Sequence, residues 1–483
     1  MKKPLIQTIV LSAALAALAA AQMPQGQQPQ SLKGVVRLNR APVSNEVLKV
    51  KLPRPVERKL SNGARLLIVE SHRVPTISFR MTIPAGTLRD PAGLPGVGAA
   101  TAALMQLGTK TRSAKDIADA IADLGATVMI SSGPESGSII ASALTENFDA
   151  ALALLTDILL NPTFPQDEFD KWKTRTRASL EQAKANPGSL AGERLYKVLY
   201  PADARHDTRP TADSLNKMTR DDLLAYYKKY FVPSGEWAGI SGDITPDQAV
   251  AKLEKALGGW KGGPVERIAL PLPGPIAEKK VYLVPRPNSV QTTLIVANLA
   301  IDRTSPDYIA LSVMNQVLGA GPSSRLFRNI REEKGYTYGV NSMLAASHFT
   351  NFYGASTSVR TEVTEPALAE LLKEFGDIRD RAVPAGELDD AKSAIVSSFV
   401  LGLESSSGVL GRWMTQREYG FPEDYWDTYS AQVTAVTAED VQRVAKKYVP
   451  FGNIQIIAVG DAAKIGELLK KFGPVQETPP DTN

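Results

Sequence analysis

The sequence has no cysteine and only three histidines among its 483 residues. Without cysteine it can form no disulfide, thiolate metal centre, iron–sulfur cluster or cysteine nucleophile. His72, His206 and His348 lie more than a hundred residues apart, so no two make the i,i+4 pair of a helical zinc site. An excess of one charge is missing too. The formal net charge is +4, falling to +2 without Lys2 and Lys3, which excludes the basic footprint of a nucleic-acid binder. What is present is ordinary: 43% hydrophobic and 22% charged residues, and a length that suits two or three globular domains.

Lys2 and Lys3 precede an apolar run over residues 5–20 that ends in Ala19-Ala20-Ala21 before Gln22. A basic start, a short apolar stretch and a small-x-small end describe a secretory signal peptide over residues 1–21. The run is alanine-rich, barely long enough to span a bilayer, and followed by a polar tract, so no stable membrane anchor is expected after cleavage. The expected location is the bacterial periplasm. Residues 22–46 are rich in glutamine and proline at first and carry no helix or strand period, which reads as a flexible lead-in.

The remainder echoes itself. Thr219-Arg220-Asp221-Asp222-Leu223 runs on to Lys228-Lys229-Tyr230 and then an apolar stretch ending in Gly242-Asp243. Thr437-Ala438-Glu439-Asp440-Val441 runs on to Lys446-Lys447-Tyr448 and an apolar stretch ending in Gly460-Asp461. Both the Lys-Lys-Tyr triplets and the Gly-Asp pairs are 218 residues apart, and Pro165 and Pro384 open similar helical patterns at an offset of 219. Three matches in order at nearly one offset imply a duplicated domain. Proline and glycine between Gly262 and Pro275 mark the boundary. The expected organisation is an N-terminal domain over 47–262, a linker over 263–276, a C-terminal domain over 277–475 and a tail over 476–483.

Each half mixes strands and helices. Ser61-Asn62-Gly63 predicts a type I′ hairpin turn between strands at 56–60 and 65–69. Ile77, Phe79, Met81 and Ile83 alternate with polar residues, as one buried strand face requires. Ser113 caps a helix with Ile117, Ile121 and Leu124 on one side, closing at Gly125. Thr145 is expected to begin another, with Phe148, Leu152, Leu155 and Leu159 at helical spacing. Hairpins followed by runs of helices, without strict alternation, predict an α+β class in which mainly antiparallel sheets carry helices on one side.

Residues 89–110 contain Arg89-Asp90, Gly93-Leu94-Pro95-Gly96, Ala99-Ala100-Thr101-Ala102-Ala103 and Gly108-Thr109-Lys110. This stretch resembles the start of the insulinase/pitrilysin family of zinc peptidases, which includes the mitochondrial processing peptidases. The family carries His-x-x-Glu-His where Ala99 to Ala103 stand. In that inverted motif two histidines hold zinc and the glutamate activates its water. Ala99, Ala102 and Ala103 supply neither lone pair nor base. The resemblance also implies a further zinc glutamate near residues 172–183, where Glu181 lies. One carboxylate does not hold catalytic zinc, which takes three protein ligands. Glu168 and Glu181 read as solvated helix residues, His206 as a loop residue, and His72 and His348 as lacking ligand partners. No zinc or other cofactor is expected in this chain.

In the second half, Gly319-Ala320-Gly321-Pro322-Ser323-Ser324-Arg325-Leu326-Phe327 leads to Ile330-Arg331-Glu332-Glu333-Lys334-Gly335-Tyr336-Thr337-Tyr338. This is similar to the family's C-terminal signature, in which an arginine and a tyrosine seven residues later reach the substrate. The resemblance implies that Tyr338 donates a hydrogen bond to the developing oxyanion while Arg331 holds neighbouring substrate backbone. The bland alternative makes Arg331 a helix-end cation and Tyr338 a core-packed strand residue. Taken over residues 47–473, the resemblance implies two homologous domains forming half of a clamshell. It further implies the non-zinc subunit of a heterodimeric peptidase acting on peptides or unfolded proteins, with zinc in a homologous partner. A non-catalytic scaffold or peptide-binding protein of the same fold is the alternative.

Overall fold

The computed structural model describes residues 50–200, 208–270 and 272–479. The expected signal peptide and lead-in with the rest of residues 1–49, His206 and the last four residues lie outside the described residues. The described residues belong to one compact unit that runs from Val47 onward.

The N-terminal half opens with β1 (Val56–Lys59), β2 (Arg65–Glu70) and β3 (Thr76–Ile83), then α1 (Val97–Met105) and α2 (Ala114–Asp123). It continues through β4 (Thr127–Ser132), β5 (Gly137–Leu144), α3 (Phe148–Leu160), α4 (Gln166–Ala185) and α5 (Pro187–Leu199). The half closes with α6 (Ala212–Lys217), α7 (Arg220–Tyr230), β6 (Trp237–Gly242) and α8 (Pro246–Leu257). Its sheet has the order β1-β2-β6-β3-β5-β4 and is antiparallel except between β2 and β6. Ile77, Phe79, Met81 and Ile83 point into a core shared with α1, α3, α7 and α8.

The C-terminal half repeats the plan with β7 (Lys280–Pro285), β8 (Gln291–Leu299), α9 (Tyr308–Leu318), β9 (Thr337–Leu344) and β10 (Phe352–Arg360). There follow α10 (Thr364–Asp380), α11 (Ala385–Leu401), α12 (Ser406–Tyr419), α13 (Tyr425–Ala435), α14 (Ala438–Tyr448), β11 (Gln455–Gly460), α15 (Ala462–Leu469) and β12 (Val475–Glu477). The order β12-β7-β11-β8-β10-β9 repeats that of the first sheet, except that the outer strand comes from the chain's end instead of its start and runs parallel, not antiparallel, to its neighbour. The duplicated signals also fold alike. Thr219 and Thr437 both close capping boxes, with Asp222 and Asp440 at the third helical position.

Each half lends a helix to the other. Leu190, Ala191, Leu195 and Leu199 of α5 pack on Val284, Ala297, Ile457 and Val459, the second face of the C-terminal sheet. In the equivalent place, Val409, Leu410, Trp413 and Met414 of α12 pack on Leu67 and Val69 of the N-terminal sheet. Leu410 approaches so closely that a Cβ on Gly239 would meet it at 2.7 Å.

Two local expectations are corrected. Asn62 does not take a positive φ, so the first turn is not type I′; only Gly63 does, at 90°. Gly63 N–H bonds Leu60 C=O and Leu60 N–H bonds Ala64 C=O, which is a three-residue loop closed by a glycine bulge. Asn62 is engaged instead with its side chain, accepting from Ala64 N–H and donating to Leu257 C=O. Thr145 does not cap the next helix, which starts after Asn147; its hydroxyl bonds Asp243 at 2.9 Å.

Candidate functional site

The metal-motif helix α1 begins at Gly96, whose φ of 98° is one that glycine adopts without strain. Gly96 N–H and Gly98 N–H donate to the Asp90 carboxyl at 2.6 and 2.7 Å, closing the open helix end from a preceding loop. Burial pushes the Asp90 carboxyl up to about 7, against the downward pull of these amides. Ala99 and Ala103 sit one turn apart on α1, both half-buried, and Ala102 is buried in the core. Glu181 is an exposed residue of α4 paired with Lys184 at 3.0 Å, and Glu168 pairs with Lys171 at 2.7 Å.

The described histidines are used elsewhere. His72 lies between two carboxylates, Nδ1 to Asp243 at 2.6 Å and Nε2 to Glu70 at 2.8 Å, which favours the imidazolium and raises its pKa. His348 bonds Glu135 at 2.6 Å and stacks on Tyr419 at 4.4 Å, joining the two halves. Among the described residues no three metal-ligating side chains converge. Three methyl groups at the motif positions, with Glu181 bound to a lysine, do not fit zinc.

Arg331 and Tyr338 are brought together. Arg331 sits in a π-type helical segment (Phe327–Glu333), a geometry common at functional sites. The segment is pinned from below: buried Asn329 donates to Glu370 at 2.9 Å and to Glu374 at 2.7 Å. Arg325 adds a bidentate pair with Glu387 at 2.8 and 2.7 Å. Gly335, with φ 63°, then turns the chain, and Arg360 donates to its carbonyl at 3.3 Å. The Arg331 guanidinium lies 4.6 Å from the Phe327 ring centre and 5.6 Å from that of Tyr338. It has no ion pair or hydrogen bond among the described residues.

Tyr338 is 91% exposed, so it is not packed on the core. The cause is a bulge. Along β10, Thr357 pairs with Val340 but Val359 pairs with Thr337, leaving one extra residue on β9. A bulge re-aims the side chains at it. Two threonines fasten this one: Thr337 Oγ1 donates to Ser358 C=O at 2.7 Å and accepts from Gly339 N–H at 3.1 Å. Thr357 Oγ1 donates to Gly339 C=O at 2.9 Å. Tyr338 borders a cleft of about 700 Å³ over the sheet face beside α5, with Thr293, Asn341, Ser356 and Arg360 in its lining. Because β9 is an edge strand, its outer backbone groups are free of sheet partners.

Thr337, Thr357 and Arg360 were missed by sequence reasoning. The available signal was a glycine, Gly339, inside a strand pattern, which often marks a bulge.

Comparison with known proteins places two stretches. Residues 65–208 match the family model described as insulinase (peptidase family M16), and residues 217–395 match that described as peptidase M16 inactive domain. An uncharacterized zinc protease of Streptomyces coelicolor is 24% identical over 80% of this chain and 85% of its own length. A Helicobacter pylori protein named a non-peptidase homolog is 25% identical over 83% of this chain and 94% of its own. Among solved structures, the peptidase M16 inactive domain from Pseudomonas fluorescens superposes with a TM-score of 0.77 at 27% identity, covering 84% of this chain and 98% of that one.

Proposed function

The chain belongs to the peptidase M16 (insulinase) family, and from that premise we propose that it is the non-zinc subunit of a heterodimeric periplasmic metallopeptidase. The pair cleaves peptides or unfolded proteins, and this chain contributes Arg331 and Tyr338 to a site whose metal sits in a homologous partner. One observation carries the reading: an unpaired cation and an almost fully exposed tyrosine are held side by side, while Ala99, Ala102 and Ala103 occupy the metal positions. An extended substrate strand alongside a sheet edge is held by main-chain hydrogen bonds, with little demand on its sequence. Tyr338 donates a hydrogen bond to the scissile carbonyl oxygen as charge develops there. Arg331 grips the adjoining backbone carbonyl. Signal-peptide features at Lys2, Lys3 and Ala19-Ala20-Ala21 support export to the periplasm.

Purified alone, the chain is expected to hold no stoichiometric zinc and to cut nothing. Co-expressed with a homologue that keeps His-x-x-Glu-His, it should form a complex that holds zinc and cleaves an unstructured peptide. Tyr338→Phe should lower kcat by roughly a hundredfold or more, the worth of one oxyanion donor. An unchanged kcat refutes the contribution of Tyr338 in trans. A second reading, a scaffold or peptide-binding protein, is favoured by the Helicobacter pylori relative, which is named a non-peptidase homolog. Peptide binding without cleavage in any such pair selects it.

A further inference from the structure

The second face of the N-terminal sheet carries a cation without a counter-ion. Along β3, residues Ile77 to Ile83 alternate, so Arg80 points away from the core toward α12. It lines a pocket of about 190 Å³ with Thr82 and Ser138 from the sheet, and Gly411, Thr415 and Glu418 from α12. A volume of that size holds about six waters. Gly411 of α12 faces the guanidinium, and a Cβ there would stand 3.9 Å from Arg80 Nη1.

Among the described residues neither the Arg80 guanidinium nor the hydroxyls of Thr82, Ser138 and Thr415 has a hydrogen-bond partner. Glu418 also lines the pocket, makes no ion pair with Arg80, and has its carboxyl pushed up from its ordinary value by burial. A guanidinium stays charged at every physiological pH, and leaving it half-buried and unpaired is costly. Four donor groups therefore line one small space, none of them bonded to the Glu418 carboxylate that also lines it. The planar fork of arginine matches a carboxylate, whose oxygens accept the remaining hydroxyl protons. A dianion such as phosphate is disfavoured by a second carboxyl, Glu418, in the same lining, whereas a peptide can meet that group with a backbone N–H. Arg80 also lies two strands, roughly 10 Å, in from the edge strand β4, on a face that an extended chain can cross.

We propose that this pocket binds one peptide carboxylate, with Arg80 as its bidentate anchor and Thr82, Ser138 and Thr415 as further donors. The proposal rests on the chain being a peptide-holding subunit, and it names the feature of the peptide that is held. The carboxylate belongs either to a chain terminus or to an acidic side chain, and the probes separate the two.

The test uses the purified chain and fluorescence anisotropy with fluorescein-labelled decapeptides of alanine and serine. One ends in a free carboxylate, one in a carboxamide, and one in a carboxamide with a single internal glutamate. At least one carboxylate-bearing peptide should bind about tenfold or more tighter than the neutral one, as a charge-assisted pair predicts; which one does identifies the source. Arg80→Gln should erase the difference without lowering Tm, because the side chain has no partner to lose. The double variant Ser138→Ala/Thr415→Val, which keeps Arg80, should reduce the preference several-fold. Equal binding of all three peptides, no binding of any, or a preference that survives Arg80→Gln overturns the proposal. A large loss of Tm in Arg80→Gln, with the preference intact in the double variant, overturns it as well. Loss of the heterodimer reading would show separately, as a co-expressed pair that cleaves nothing.

Discussion

Asp90 offers the sharpest test of the forces at the metal-motif helix. Its carboxyl accepts from Gly96 and Gly98 at 2.6 and 2.7 Å, yet burial outweighs these donors and raises it from 3.8 to about 7. Between those two values the folded chain holds a proton that the unfolded chain releases. Stability from this group is therefore fully present below the unfolded pKa and is lost as pH rises through about 7. A displacement of about three pH units corresponds to at most about 4 kcal/mol, at roughly 1.4 kcal/mol per unit. Asp90→Asn keeps one carbonyl acceptor and cannot titrate. Near pH 5 it should be less stable than the wild type by about 1 kcal/mol, the worth of one cap hydrogen bond. By pH 8 the order should reverse, with the variant ahead by about 1–3 kcal/mol. Urea unfolding followed by far-ultraviolet circular dichroism across this range gives the difference, and subtraction cancels the histidine titrations common to both proteins. A wild-type advantage that grows with pH would mean the amides prevail over burial and the carboxyl is ionised throughout, which refutes the reasoning.

Asp307 behaves in the opposite sense. Arg443 at 2.7 Å, Lys447 at 2.9 Å and the Tyr448 hydroxyl at 2.7 Å hold it far below the usual carboxylate range. Its stabilisation is present above the unfolded pKa and is lost as pH falls through the folded one, so Asp307→Asn should cost about 2–3 kcal/mol at pH 7, discounted for the exposure of both cations, and progressively less in acid. At Gly242, φ is 120° and a Cβ would lie 2.0 Å from Thr76 C=O. Gly242→Ala should cost more than about 3 kcal/mol, read as a Tm drop or loss of soluble protein. Thr337→Val removes the clasp at the bulge; in an active complex kcat should fall about tenfold with KM little changed, and Thr337→Ser should restore it. Equal loss in KM and no rescue would make the clasp merely structural.

The parts of this fold that sequence made legible are those set by local chemistry. Thr219 and Thr437 with their aspartates mark helix starts, because a hydroxyl acceptor and a carboxylate three residues on satisfy open backbone amides wherever they occur. Ile77 to Ile83 announce a half-buried strand for the same reason. The exchange of α5 and α12 was not legible. A stripe such as Val409, Leu410 and Trp413 says that a helix face is buried, but not that the surface burying it lies some 340 residues upstream, at Leu67 and Val69. The bulge at Tyr338 was hidden similarly: pairing register is decided across strands, and Thr337 acts through Ser358 and Gly339. Arg80 looked like the polar half of an alternating strand, and only the facing helix reveals that no carboxylate meets it.

The three motif-helix alanines and the Arg331–Tyr338 pair differ in what they do for the fold, and that difference bears on the proposed function. Alanine at positions 99, 102 and 103 suits an ordinary helix: Ala102 fills core space and the other two are half-buried methyls with high helix propensity. Their presence needs no functional explanation. Arg331 and Tyr338 are the reverse case. An exposed aromatic ring and an unpaired guanidinium contribute roughly 0.5–1 kcal/mol to each other as a cation–π contact. They nevertheless rest on a π-type turn, a bulge, two threonine hydroxyls and a buried asparagine. Local irregularity of that kind forgoes regular helix and ladder pairing where it occurs and re-aims the side chains on it. So specific a clasp around groups that add so little to the fold fits contact with something outside the chain. On the proposed reading, that something is a substrate strand.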